Sequence, residues 1–263
     1  MLSEQRYEEI LNVLNREGSV KAADLCKLLG ISRETIRRDL ETMESKKMLR
    51  RIHGGAMKVD LSPGQNMSYL PFQKRKSEQP QSKKDIAMEA VNYIKEGQSI
   101  ALDSGTTALL LAREVKERFH SLTVVTNSLV VANELAGCEG ITLVMTGGVY
   151  RSDEEAFVSD IAGMIFSKIN VDIFFLTTCG ISVERGITYQ RMDEIFVQNK
   201  MMEAAEKTIV IADSSKLGVN SLVKMSGIDQ VSMIITDSGA SREQIETFEK
   251  AGVNVVISKE RKD

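Results

Sequence analysis

Gly30-Ile31-Ser32-Arg33-Glu34-Thr35-Ile36-Arg37-Arg38-Asp39-Leu40 is the stretch on which the reading of this chain turns. Gly30-Ile31 makes a tight turn, Ser32 is an N-cap residue type, and Ile36, Leu40 and Met43 recur at helical spacing, which predicts a helix that Ser32 caps. Upstream, Ala22, Leu25, Cys26 and Leu29 give the apolar positions of a short helix over residues 21–29. Tyr7, Ile10, Leu11 and Leu14 mark an amphipathic helix over residues 3–15 that ends near Gly18. Helices this short bury their stripes only against one another, so the three form one small core.

Helix, turn and helix over residues 21–45 make a helix-turn-helix candidate, whose second helix is of a size to lie in a DNA major groove. Its polar side carries Arg33, Thr35, Arg37 and Arg38, a hydroxyl and guanidinium groups suited to phosphate oxygens and guanine edges. A solvated helix face is the plainer alternative, since Glu34, Asp39, Glu41 and Glu44 offer local ion pairs. Downstream, Met48-Leu49-Arg50-Arg51-Ile52 reads as a strand, His53-Gly54-Gly55-Ala56 as a turn and Met57-Lys58-Val59 as a return strand, together a wing. Arg50, Arg51 and Lys58 are placed to clamp the DNA backbone; His53, with no metal-ligand pattern around it, is a wing residue beside Gly54. The candidate DNA-contacting set is Ser32, Arg33, Thr35, Arg37, Arg38, Arg50, Arg51, His53 and Gly54.

The rest of the 263 residues must hold a larger body, and 42% hydrophobic and 27% charged residues with only 3 Pro exclude a disordered or fibrous one. The net charge of −3 conceals a division: residues 1–84 hold 17 Lys+Arg against 11 Asp+Glu, a net +6, which leaves −9 for the remainder. A basic front joined to an acidic body suits a protein whose front alone approaches a polyanion. Cys26, Cys138 and Cys179 are too scattered for a disulfide framework or a zinc site. Met1-Leu2-Ser3-Glu4 opens no basic-then-apolar leader, and no apolar run of 18 residues follows; the expectation is a cytoplasmic protein with no membrane partner.

Pro63, Gly64, Pro71, Pro80 and the cluster Lys74-Arg75-Lys76 mark a linker, whose cations either touch phosphate or solvate the connection. Beyond it, helices are predicted over residues 82–95, 106–118, 128–136, 155–168, 191–206 and 241–250. Strands are predicted over 99–102, 122–126, 141–145, 171–178, 208–212, 231–236 and 253–257. Apolar strands without strict alternation are covered on both faces, so this is an open α/β sheet of about seven mainly parallel strands. The expected division is a winged helix-turn-helix over 1–57, a linker over 58–81 and an α/β effector-sensing and oligomerisation domain over 82–263.

In such a sheet, ligands sit beyond the carboxyl ends of the strands. Four stretches there are of a phosphate-cradling type: Asp103-Ser104-Gly105-Thr106-Thr107, Thr126-Asn127-Ser128, Gly147-Gly148 and Asp213-Ser214-Ser215-Lys216. Each taken alone is better explained by helix capping, and it is their repetition that points to a site. None belongs to a dinucleotide fingerprint or a P-loop, and no cofactor or metal is implied.

The run over residues 30–40, followed by Leu49-Arg50-Arg51-Ile52-His53-Gly54-Gly55-Ala56, resembles the winged DNA-binding domain of DeoR-family bacterial transcriptional regulators. The four strand-end motifs, with Val125 before Thr126, look like that family's effector domain in place and order, so the resemblance spans essentially the full chain. It implies a carboxy-terminal domain similar in fold to ribose-5-phosphate isomerase that senses a phosphorylated sugar or related metabolite. By the same implication Gly105, Thr106, Thr107 and Lys216 contact the phosphate and Asp103, Asn127 and Gly180 shape the adjoining pocket, with Ser104, Thr126, Gly147 and Gly148 completing the expected effector-binding set. The chain departs from the family at Thr177 and Ser159, where glycine is usual, at Ser182 in place of Asp, and at Ser82-Lys83-Lys84 in place of a Glu-Lys pair.

The reading is a DNA-binding regulator, a repressor, acting as a homodimer or homotetramer on double-stranded operator DNA. Two other classes stay open. Asp103, Asp213 and Asp237 at strand ends would serve an isomerase-like enzyme fused to a DNA-binding module, although no catalytic residue is assigned. A nucleoid-type structural binder would show no response to metabolites.

Overall fold

The computed structural model describes residues 3–17, 19–45, 48–52, 55–57 and 70–259. The chain divides into two compact units, Met1–Gln65 and Asn66–Asp263.

The first unit comprises α1 (Ser3–Glu17), β1 (Ser19–Lys21), α2 (Ala22–Leu29), α3 (Arg33–Ser45), β2 (Arg50–Ile52) and β3 (Gly55–Met57). Ile10, Leu14, Leu25, Ile36, Leu40 and Met43, the predicted stripes, meet in one core that Leu49 and Ala56 extend. Arg6 donates to both carboxylate oxygens of the buried Asp39, at 2.7 and 2.9 Å, and so ties α1 to α3. Gly30 ends α2 in the left-handed conformation (φ 64°), and the Ser32 hydroxyl accepts the Thr35 N–H at 3.2 Å to start α3. The wing is a three-stranded antiparallel sheet in the order β1-β3-β2. Its return strand already begins at Gly55, two residues before the expected start, and pairs over Gly55–Met57 with β1, a strand too short to be read from sequence; residues 58 and 59 lie outside the described residues. A Cβ on Gly55 would lie 2.2 Å from the Val20 carbonyl oxygen.

The second unit begins with α4 (Phe72–Arg75), α5 (Pro80–Ala90), β4 (Ser99–Leu102), α6 (Thr106–Arg118), β5 (Leu122–Thr126), α7 (Leu129–Leu135) and β6 (Ile141–Met145). Then follow β7 (Val149–Arg151), β8 (Ala156–Val158), α8 (Asp160–Gly163), β9 (Val171–Leu176), β10 (Gly180–Ser182), β11 (Gly186–Tyr189) and α9 (Ile195–Glu203). It closes with β12 (Ala205–Ile211), β13 (Val223–Ser226), β14 (Met233–Thr236), α10 (Arg242–Lys250) and β15 (Asn254–Ile257).

Seven strands form one sheet, wholly parallel, in the order β15-β14-β12-β9-β4-β5-β6. The chain runs outward from β4 to β6, then returns to β9 on the other side of β4 and runs outward again. The topological switch therefore lies between β4 and β9. Alternate residues serve two cores: Ile100, Leu102, Ile173 and Phe175 pack with Ile86 of α5 and Leu111 of α6. Ala101, Phe174 and Leu176 pack with Val197 and Met201 of α9.

Three expectations fail in this unit. Residues 155–168 are not one helix: β7 and β8 form a hairpin, and only a short α8 and a 3₁₀ turn over Met164–Ser167 follow. The break falls at Ser159, whose φ of 105° no helix accommodates. An antiparallel sheet, β10-β11-β13, stands where no strands were predicted. Residues 72–75, read as linker, form α4 with Phe72 buried in the core; positions 58–69 lie outside the described residues.

Candidate functional site

The two units carry separate sites. On α3, Arg33, Arg37 and Arg38 are exposed and Thr35 is half-buried. Arg37 donates to both Glu34 oxygens, at 2.9 and 2.8 Å, and also to Glu41; Arg38 donates to Glu34 at 3.1 Å. These guanidinium groups hold the Glu34 carboxyl down at about 2, and Glu34 in turn raises Arg37. The plain reading of α3 as an ion-paired helix is thus realised, and on an exposed face where phosphate can replace carboxylate. Ser32 spends its hydroxyl on the cap, so its place is to start the helix. The backbone of Arg50 and Arg51 runs in β2, while His53, Gly54 and Lys58 lie outside the described residues.

In the second unit, a cleft opens at the carboxyl ends of β4, β9 and β12. It lies at the switch between β4 and β9, as the strand order requires. Asp103, Ser104, Gly105, Thr106, Thr107 and Lys216 line it, together with Asp213. Gly105 is the N-cap of α6 and supplies no side-chain cap, so the backbone N–H groups of the first turn are left without a side-chain acceptor at the cleft. Lys83 of α5 joins them, buried, with its ammonium donating to the Arg75 carbonyl at 2.6 Å. Burial lowers its pKa; Asp213 works against that shift and Lys216 adds to it. Two neighbouring lysines that repel each other are a pair that an anion stabilises.

Asp103 organises the cleft floor and is 1% exposed. Its Oδ1 accepts the Ser104 N–H at 2.7 Å and Gln198 Nε2 at 3.2 Å. Its Oδ2 accepts the Thr177 N–H at 3.1 Å, the Thr177 hydroxyl at 2.7 Å and the Tyr189 hydroxyl at 3.2 Å. A carboxylate so fully engaged orders β4, β9, β11 and α9 and has no lone pair left for proton abstraction. Thr177 also explains Gly105: a Cβ there would fall 2.3–2.5 Å from three atoms of the Thr177 side chain. The side chain that departs from the family pattern has taken up the room beside Gly105.

Five residues expected at the effector pocket do not line this cleft. Thr126 donates to the Leu102 carbonyl at 2.8 Å, and Asn127 holds β8 through Phe157, donating Nδ2 to its carbonyl at 3.1 Å. Gly147 and Gly148, with φ of 66° and 108°, turn the chain from β6 into β7. Gly180 pairs with Thr188 between β10 and β11, where Val219 leaves no room for a Cβ. Thr126, Asn127, Gly147 and Gly148 follow β5 and β6, the two strands on the far side of β4 from the switch. Ser182, bonded to Asn220 at 2.7 Å, is outside the cleft too.

The structure adds residues that the sequence reading passed over. Arg75 pairs with Glu154, and Glu154, Glu194, Gln198, Tyr189 and Cys179 all line the cleft. Burial, with the Glu194 charge beside it, pushes the Glu154 carboxyl up to about 8; burial pushes Glu194 up to about 7 and the Cys179 thiol up to about 11. The one sequence signal for this group was the cation cluster at residues 74–76, and it was assigned to a linker. The carboxylates weighed for catalysis serve loops instead: Asp213 accepts the Ser215 N–H at 3.2 Å, and Asp237 accepts the N–H groups of Ser214 at 2.6 Å and Gly239 at 3.1 Å. Among the described residues no group of His, Cys, Asp and Glu is arranged to hold a metal ion, and no helix is long and apolar enough to cross a membrane.

Comparison with known proteins agrees with this division. Residues 6–60 match the family model of the DeoR-like helix-turn-helix domain, and residues 78–238 match that of the DeoR C terminal sensor domain. A candidate aga operon transcriptional repressor of Escherichia coli O157:H7 is 36% identical over 254 residues, 96% of this chain and 93% of that protein. The HTH-type transcriptional regulator GlpR of Haloferax volcanii is 34% identical, covering 97% of this chain and 98% of its own. YulB of Bacillus subtilis, also an HTH-type transcriptional regulator, is 33% identical over 97% of this chain and 96% of its own. Ribose 5-phosphate isomerase A of Methanocaldococcus jannaschii overlaps 51% of this chain and 52% of its own at 20% identity, with a TM-score of 0.38, too partial a likeness to carry functional weight.

Proposed function

Because the chain belongs to the DeoR family of DNA-binding transcriptional regulators, we propose that it represses a sugar or related metabolite operon and is released when a phosphorylated sugar enters the cleft. The observation that carries the effector assignment is the meeting of the uncapped α6 amino terminus with Lys83 and Lys216 at the sheet's switch point. Gly105, Thr106 and Thr107 offer backbone N–H groups and hydroxyls to the phosphate, the two lysines offer charge, and Asp103 with Ser104 holds the loop. Residues 1–57 read DNA through Arg33, Thr35, Arg37 and Arg38, with Arg50, Arg51, His53 and Gly54 on the wing. Residues 82–263 sense the effector and join copies of the chain into a homodimer or homotetramer in the cytoplasm. An isomerase activity is not part of this reading, since these relatives are regulators and Asp103 is fully engaged.

The effector acts by binding more tightly to a conformation of lower operator affinity, so ligand and DNA must oppose each other reciprocally. A panel of pentose and hexose phosphates tests this by thermal shift and by release of operator DNA. At a ligand concentration about 100 times its Kd, the effector stabilises the chain by about 2.7 kcal/mol. Lys216→Ala abolishes that shift and leaves operator affinity without ligand unchanged. Failure of every phosphorylated sugar on the native chain rejects the effector class.

A further inference from the structure

The phosphate reading uses only part of the cleft. Arg75 separates two chemically different groups, its carbonyl accepting from Lys83 and its guanidinium pairing with Glu154. On the Glu154 side, beside the Arg75 guanidinium, two buried acceptor atoms stand out. Glu154 is 4% exposed; one carboxyl oxygen meets Arg75, while the other, Oε1, is buried without a hydrogen-bond partner. Gln198 is 2% exposed and donates Nε2 to Asp103, which fixes the amide so that Oε1 is the acceptor, and this atom too is buried without a partner. Both residues line the cleft, as does the buried Glu194. Buried acceptors without partners are costly, and two in one cleft point to donors that arrive with a ligand.

Charge narrows the choice of donor. The cluster holds four carboxylates, Glu154, Glu194, Asp153 and Asp193, against three guanidinium groups, Arg75, Arg191 and Arg151. Burial is the main cause that pushes the Glu154 and Glu194 carboxyls up, and neighbouring carboxylates add to it, so a cation placed beside them is favoured. A sugar hydroxyl donates one hydrogen bond and leaves the charge in place. An ammonium brings three donors and a positive charge.

We infer that the wall formed by Glu154, Gln198 and Glu194 is a subsite for a protonated amine, and that the effector is a phosphorylated amino sugar. This rests on the phosphate reading of Lys83, Lys216 and the α6 amino terminus. The amine and the phosphate then occupy the two sides of Arg75, so neither group alone fills the cleft.

Calorimetric titration of the full chain with matched pairs tests the inference: glucosamine 6-phosphate against glucose 6-phosphate, and galactosamine 6-phosphate against galactose 6-phosphate. At least one amino sugar phosphate binds ten or more times more tightly than its hydroxyl counterpart. Glu154→Gln, and Glu194→Gln as a second variant whose fold is checked by circular dichroism, each bring the ratio within about twofold while hexose phosphate affinity holds. Equal or tighter binding of the hydroxyl compounds overturns the amine subsite and leaves the phosphate reading standing. Binding of neither member of any pair, together with failure of the wider sugar phosphate panel, overturns both.

Discussion

Ser159 occupies a backbone conformation that is essentially reserved for glycine, with φ 105° and ψ 170°. Its hydroxyl is buried without a hydrogen-bond partner, so the side chain gives nothing back for the strain. Ser159→Gly therefore stabilises the second unit by about 1–3 kcal/mol, read as a higher denaturation midpoint at unchanged slope. Unchanged or lower stability would count against the strain. Sequence showed that Ser159 and Thr177 break a pattern, but not what each does: one is a strained turn residue, the other a filled space against Gly105 and a hydrogen bond to Asp103. The difference lies in φ and in neighbours far away along the chain, neither of which a local pattern records.

At the scale of elements, α3 was legible almost to the residue, because a cap, an apolar stripe and a left-handed glycine are all local signals. What could not be read was how its cations are engaged. Glu34 accepts from both Arg37 and Arg38, so under the proposed DNA reading it would compete with phosphate for both. Arg37→Ala and Arg38→Ala each weaken duplex binding and reduce the salt slope by about 0.9, the change that follows when one phosphate is no longer neutralised. Glu34→Gln moves the other way, strengthening binding at low salt across sequences. Fluorescence anisotropy with labelled duplex from 50 to 200 mM salt, on the order of the range in which such ion pairs are felt, separates the cases. Salt slopes equal to the native one in all three variants would remove α3 from the phosphate-binding surface.

At the scale of the whole molecule, the proposed homodimer or homotetramer would set two winged domains on paired half-sites, the geometry by which helix-turn-helix dimers bind DNA. Operator DNA with two half-sites one turn apart, about 34–36 Å, is bound far more tightly than a single half-site, and sedimentation shows an even-numbered oligomer at the same protein concentration. A monomer that binds both duplexes alike contradicts the assembly.

The sequence by itself determined the helices of the winged front and all seven strands of the large sheet, because their periodicities are written in neighbouring residues, while the short strands β1, β7, β8, β10, β11 and β13 carried too little pattern to be read. Only the tertiary structure decided which strand ends make the site. Parallel strands are joined by crossovers, and no local feature states whether β9 returns beside β4 or beyond β6. Its return beside β4 brings Asp103, Thr177 and Lys216 to one cleft and leaves Thr126, Asn127, Gly147 and Gly148 outside it. The same long-range packing buries Glu154 and Glu194 and shifts their protonation, an effect that exists only when distant segments remove water from both.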